Sequence, residues 1–133
     1  MGILYIVATP IGNLQDLTFR ALEALKSADL IVAEDTRTAR SLLTHFGIKK
    51  DLISYFAQSS EAKIREIVGY IKNGKNIAYV SEAGTPGISD PGQKLVGAAV
   101  KEDIAVVPVP GASALTAALS VSGFDTSRFV FFG

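Results

Sequence analysis

Apolar positions along this chain follow two alternating rhythms. Ile3-Leu4-Tyr5-Ile6-Val7-Ala8 is an unbroken apolar run, halted by Thr9-Pro10-Ile11-Gly12-Asn13. A short run without polar alternation marks a strand covered on both faces, as in a parallel sheet. Leu17, Ala21, Ala24, Leu25 and Ala28 then fall on one face of a helix, with Arg20, Glu23 and Lys26 opposite. The same alternation repeats to the end of the chain. Further strands are predicted over residues 30–33, 52–56, 76–80 and 104–107. Helical stripes are carried by Ala39, Leu42, Leu43 and Phe46, by Ile64, Ile67, Val68 and Ile71, and by Leu95, Val96, Ala99 and Val100. Ser60 is placed to cap the second of these stripes, and Gly47 and Gly74 to end helices. A helix of small residues over 112–119 and a last strand over 129–132 complete the series. Strands alternating with helices of about ten residues predict right-handed βαβ units, hence an α/β domain of three layers with helices on both faces of a parallel sheet. No repeat, low-complexity segment or linker interrupts it.

Composition narrows the class. The 133 residues are one domain's worth, and a 48% hydrophobic content excludes disorder. The absence of cysteine excludes a disulfide scaffold, a thiolate metal site and a Cys nucleophile, and it suits a reducing cytoplasm. The single histidine, His45, excludes any mechanism that needs two; beside Phe46 in a helix it reads as a surface or satisfied side chain. Thirteen Lys and Arg balance thirteen Asp and Glu, which argues against a strongly basic nucleic-acid domain. Arg37, Arg40, Lys49 and Lys50 make a modest positive region, followed at once by Asp51. No apolar run approaches the roughly 18–20 residues of a membrane span, and the N-terminus lacks the charged start of a signal peptide. A cytoplasmic protein without a membrane partner is expected.

In a parallel sheet, ligands bind outside the carboxyl ends of the strands. The predicted loops there hold all five prolines and five of the twelve glycines. The densest is Ser81-Glu82-Ala83-Gly84-Thr85-Pro86-Gly87-Ile88-Ser89-Asp90-Pro91-Gly92, longer than the roughly 2–6 residues such a connection needs. It is not a P-loop, because Gln93-Lys94 follows Gly92 where Lys-Ser/Thr is required. Nor does a GxGxxG fingerprint follow the first strand. A nucleoside held by backbone groups of several loops is compatible. Glu34-Asp35-Thr36-Arg37 places two carboxylates and a guanidinium at the second strand's end. They serve as a helix cap and an ion pair on one reading, as groups orienting a substrate or accepting a proton on the other.

At these loops the sequence resembles a known family. Leu4-Tyr5-Ile6-Val7-Ala8-Thr9-Pro10-Ile11-Gly12-Asn13-Leu14, Ala33-Glu34-Asp35-Thr36-Arg37, the stretch from Val80 to Gly92, and Val109-Pro110-Gly111-Ala112-Ser113-Ala114 come in the order and spacing of the ribosomal RNA small-subunit methyltransferase I family, within the tetrapyrrole methylase superfamily. The resemblance implies S-adenosyl-L-methionine (AdoMet) as cosubstrate, no metal, and methylation of a cytidine ribose 2′-hydroxyl in small-subunit (16S) rRNA. It implies two α/β domains with the cosubstrate between them, assembled as a homodimer, of which residues 1–133 are the N-terminal domain and the C-terminal domain is absent. Cofactor contacts are implied for Pro10, Glu82, Gly84, Thr85, Ala112 and Ser113, and catalytic roles for Glu34, Asp35 and Arg37. A balanced charge in one domain is then compatible with RNA binding by the whole. Two departures stand out: Glu82 occupies a usual Asp position, and Ala57-Gln58-Ser59-Ser60-Glu61 keeps only the Glu of a His-Asn-Glu stretch. The alternatives are a methylase of a tetrapyrrole or other small molecule, and an inactive binding or dimerisation domain.

Overall fold

A computed structural model describes residues 1–133. Five parallel strands form one sheet in the order β3-β2-β4-β1-β5: β1 (Ile3–Val7), β2 (Leu30–Ala33), β3 (Leu52–Ser54), β4 (Ile77–Val80) and β5 (Ala105–Val109). Five helices connect and follow them: α1 (Phe19–Ser27), α2 (Thr36–His45), α3 (Glu61–Lys72), α4 (Gly92–Lys101) and α5 (Ala114–Ser120). The expected three-layer α/β architecture is present.

Each strand divides its side chains between two cores. Leu4, Leu30, Val32, Ile77 and Tyr79 pack with Ile64, Ile67 and Ile71 of α3 and Leu95 and Ala99 of α4. Val7, Ile31, Ala33, Ala78 and Val80 pack on the other face with Ala21, Ala24 and Leu25 of α1 and Ala39 and Leu43 of α2. That is why β2 and β4 are apolar at every position: neither face meets water. The helix starts are set locally. Thr18, Asp35 and Ser60 accept the first free backbone N–H groups of α1, α2 and α3. Gly47 and Gly74, at φ of 67° and 92°, turn the chain after α2 and α3 as a Cβ-bearing residue rarely can.

Three expectations are corrected. Residues 129–132 form no strand: Phe129, Val130, Phe131 and Phe132 are exposed, and no backbone–backbone hydrogen bond involves them. An apolar run becomes a strand only where a neighbour receives its backbone groups, and none does here. Strand β5 runs on to Val109 and includes Pro108, opposite Ile6; an edge strand tolerates the missing N–H. His45 closes α2 rather than lying inside it, and Phe46 is half-buried.

Candidate active site

The segments leaving β1 and β4, neighbours in the sheet, part to opposite faces, α1 on one and α4 on the other. Before they part they clasp once. Thr9 and Gly84 exchange backbone hydrogen bonds of 3.0 and 2.9 Å in an antiparallel bridge. Gly84 does this at φ +75°, with the place of a Cβ only 3.2 Å from Ile11 Cγ2. The loop after β5 closes on the same point. The Thr85 hydroxyl donates to the Ala112 carbonyl at 3.1 Å, and a Cβ on Gly111 would lie 2.9 Å from Ala8 Cβ. Gly84, Thr85 and Ala112 are therefore held together beside the end of β1, just before Pro10. Ser113 precedes α5, and its hydroxyl makes no capping bond.

The glycine-rich loop is anchored from below by two buried tyrosines. Tyr79 donates to Asp90 Oδ1 at 3.2 Å, and Tyr55 to the Pro91 carbonyl at 3.1 Å. Asp90 also accepts from the Gly92 N–H at 2.7 Å and the Gly87 N–H at 2.6 Å, so one carboxylate ties the middle of the loop to its C-terminal end. Burial and the nearby Asp90 push the Tyr79 hydroxyl far above its ordinary value, which keeps it protonated as a donor. Gly92 has no room for a side chain: a Cβ would sit 2.4 Å from the Tyr79 ring.

The adjacent carboxylates at the end of β2 have opposite environments. Asp35 caps α2 through the Arg37 N–H at 2.8 Å, and its two oxygens take the Arg37 guanidinium at 3.3 and 3.0 Å. Those bonds hold its proton affinity below the usual carboxylate range. Glu34 is raised instead, first by partial burial and then by the charges of Glu82 and Asp90. Environments that drive two neighbouring acids apart separate the roles they can play. Both Asp35 oxygens are engaged by Arg37 and the start of α2, whereas Glu34 carries the higher proton affinity of the two.

An open cavity of about 600 Å³ adjoins this edge, between the segment after β1 and the outer side of α2. Pro10, Arg37 and Glu82 line it, together with Asn13, Ser41 and His45. Thr9, 4% exposed, also lines it, and its hydroxyl oxygen has no partner. Of the residues expected at the site, Glu34, Asp35, Gly84, Thr85, Ala112 and Ser113 do not border this cavity; Gly84, Thr85, Ala112 and Ser113 belong to the loop cluster next to it, and Glu34 and Asp35 to the turn between β2 and α2. The Ala57-Gln58-Ser59-Ser60-Glu61 stretch forms a turn and the cap of α3, where Ser59 accepts from the Phe56 N–H at 2.9 Å. Sequence reasoning missed Asn13, Ser41, Tyr79 and Asp90. Asp90 left a signal as a carboxylate inside the glycine-rich segment, and Asn13 as part of the segment that halts the first strand; Ser41 and Tyr79 left none.

The sequence pattern that defines the family "Tetrapyrrole (Corrin/Porphyrin) Methylases" matches residues 3–130. Proteins named ribosomal RNA small subunit methyltransferase I are similar along the whole chain. That of Synechocystis sp. is 56% identical over 100% of this chain and 48% of its own length. That of Thermotoga maritima is 53% identical over 100% of this chain and 60% of its own. The chain spans about half the length of the curated relatives it matches. Among solved structures, a uroporphyrin-III-C-methyltransferase from Thermus thermophilus superposes with a TM-score of 0.69, covering 96% of this chain and 55% of its own. At 22% identity that likeness bears on the fold alone. No helix is long and apolar enough to cross a membrane.

Proposed function

The chain belongs to the tetrapyrrole methylase family, and from that premise we propose that it is the N-terminal half of an AdoMet-dependent rRNA methyltransferase, acting on a cytidine ribose 2′-hydroxyl of the small subunit. The observation that carries this reading is the clasp of the loops after β1, β4 and β5, through Thr9 with Gly84 and Thr85 with Ala112, with the Glu34-Asp35-Thr36-Arg37 turn at the same sheet edge. There Asp35 caps the helix that presents Arg37, and its neighbour Glu34 is raised in proton affinity by partial burial and by Glu82 and Asp90. The rRNA substrate class is supported by relatives of that name at 52–56% identity.

The loop cluster fits AdoMet. Gly84, Thr85 and Ala112 bring closely spaced backbone together next to Pro10, the uncommitted Ser113 hydroxyl follows Ala112 in the chain, and Glu82 borders the adjoining cavity with Pro10. Such groups suit an amino-acid moiety and a ribose diol. When bound, AdoMet supplies an electrophilic methyl group. The chain's own task is to orient the accepting oxygen and take its proton. A ribose hydroxyl is a weak nucleophile, and Glu34, already raised in proton affinity, accepts the proton it releases. Arg37, with its side chain 91% exposed, holds an RNA phosphate through the guanidinium N–H groups that Asp35 leaves free.

The apolar surface left open by Val121, Phe124 and Phe129 to Phe132 supports a C-terminal domain or second copy packing there, in a cytoplasmic homodimer. The test is transfer of a labelled methyl from AdoMet to small-subunit rRNA, by this chain and by any longer reading frame that contains it. Label on a cytidine ribose, lost in Arg37→Ala, is the expected result. Label on a tetrapyrrole with none on RNA, or unchanged turnover of Arg37→Ala at saturating substrates, would overturn it.

A further inference from the structure

Helix α2 has an outer side of one chemical kind. Its exposed residues are Arg37, Thr38, Arg40, Ser41, Thr44 and His45, all cations, hydroxyls or imidazole, and the helix holds no carboxylate. The helix stands as a ridge between two hollows. On one flank lies the cavity already described, bordered by Arg37, Ser41 and His45. On the other is a second hollow of about 580 Å³, bordered by Arg40 and Thr44 and continued by Lys49 and Lys50. The positive region that looked modest in the sequence is thus gathered along one ridge that begins at Arg37.

Of these charges, Arg40, Lys49 and Lys50 are free of any ion pair, and Arg37 is shared with Asp35. The molecule's three ion pairs are Arg37–Asp35, Lys63–Glu66 and Lys72–Glu102. Asp29 and Asp51 share the second hollow, but Asp29 is turned to the Asn76 N–H at 2.7 Å. The basic groove between α3 and α4 differs. There Lys72 is paired with Glu102, and although Arg65, Lys94 and Lys101 are in no ion pair, the groove lies on the opposite face of the sheet from α2 and shares no residue with the cavity beside Arg37.

We propose that the outer ridge of α2, continued by Lys49 and Lys50, is the docking track for the RNA phosphate backbone that flanks the methylated nucleotide. The inference rests on the rRNA reading above. From Arg37 to Thr44 the helix spans roughly 10 Å, the reach of two or three phosphates along a strand. Guanidinium, ammonium and hydroxyl groups all donate to phosphate oxygens and carry no base preference, so the ridge positions the strand without selecting its sequence.

The test compares two triple variants for binding to a small-subunit rRNA fragment across a salt series. One is Arg40→Gln/Lys49→Gln/Lys50→Gln on the ridge; the other, Arg65→Gln/Lys94→Gln/Lys101→Gln, removes equal charge from the α3–α4 groove. The ridge variant is expected to bind about tenfold more weakly or worse, with a salt slope shallower by about two. Its transfer at saturating RNA should match the parent, and the groove variant should bind as the parent does. Equal losses in both variants, or none in the ridge variant, overturn the track while leaving the rRNA reading intact. Weakened binding to assembled subunits with naked rRNA bound normally points to an acidic protein face and also overturns it. Failure of the unaltered protein to bind RNA overturns both readings.

Discussion

The Tyr79 hydroxyl donates to Asp90 across 3.2 Å and so ties the centre of the sheet to the glycine-rich loop. Tyr79 is fully buried, so its phenol has no water to turn to. Replacing Tyr79 with Phe removes one of the three donors to Asp90 and leaves the ring. A stability loss of about 1–2 kcal/mol is expected, read as a lower urea midpoint with an unchanged slope. An unaltered midpoint would show that the bond contributes nothing.

Gly92→Ala probes the same anchor from the other side. The new methyl would lie 2.4 Å from the Tyr79 ring and 2.8 Å from Asp90 Oδ1. Tyr79 cannot retreat, because it packs edge-on to Tyr55 within the core. Overpacking of this kind costs about 1–3 kcal/mol, and AdoMet affinity should fall with it in a calorimetric titration. Parent-like stability would mean that the loop is softer than its hydrogen bonds imply.

Glu34→Gln separates a functional acid from a structural one. A raised folded-state pKa means that the folded chain binds the proton more tightly than the unfolded one. The favourable contribution is therefore complete below the ordinary value of 4.5 and is lost as the pH rises through the raised one. At pH 7 the Gln variant should be at least as stable as the parent, and the difference should vanish on acidification. Methyl transfer should drop about 100-fold. A Gln variant less stable than the parent at pH 7 would make Glu34 a structural partner.

Asp35 gives the opposite pattern. Its lowered pKa favours folding above the ordinary 3.8, and that support is lost as the pH falls through the folded value. Asp35→Ala removes the cap of α2 and should lower the thermal midpoint by a few degrees. Asn caps about as well as Asp, so Asp35→Asn should recover nearly all of it. If Asn behaved like Ala, the pair with Arg37 rather than the cap would be what holds the helix.

Ser60 tests how far such local signals extend. Its hydroxyl accepts from the Lys63 N–H at 3.3 Å, as the sequence alone suggests. Ser60→Ala should cost about 1 kcal/mol, measured by chemical denaturation, with methyl transfer untouched. Lost transfer would assign the altered 57–61 stretch a catalytic part.

Much of this molecule was legible before any fold was built, because the signals are local. An unbroken apolar run such as Ile77 to Val80 states that both faces of its strand are covered. A Ser, Thr or Asp before an amphipathic stripe states where a helix begins. These features depend on neighbours within a few residues, and α1, α2, α3 and α4 start within two or three residues of where they place them. The same reasoning failed at Phe129 to Phe132. Apolarity there reports a need for cover, but a strand also needs a partner, and partnership is not a local property.

What tertiary structure decided is which distant groups meet. Glu34 and Asp35 are adjacent in the chain and look alike. Arg37 closes on Asp35 from two residues away, as the sequence allowed, but only folding brings Glu82 and Asp90 near Glu34. Tyr79 reads as a strand residue until its hydroxyl is seen to reach Asp90, and His45 is the surface histidine the sequence suggests, at the border of a cavity that only the fold forms. The sequence by itself determined the layers and the loops that carry the chemistry, because periodicity and capping are encoded within one turn or one strand. Charge environment and cavity shape depend on segments far apart in the chain, so only the assembled sheet could divide one carboxylate from its neighbour.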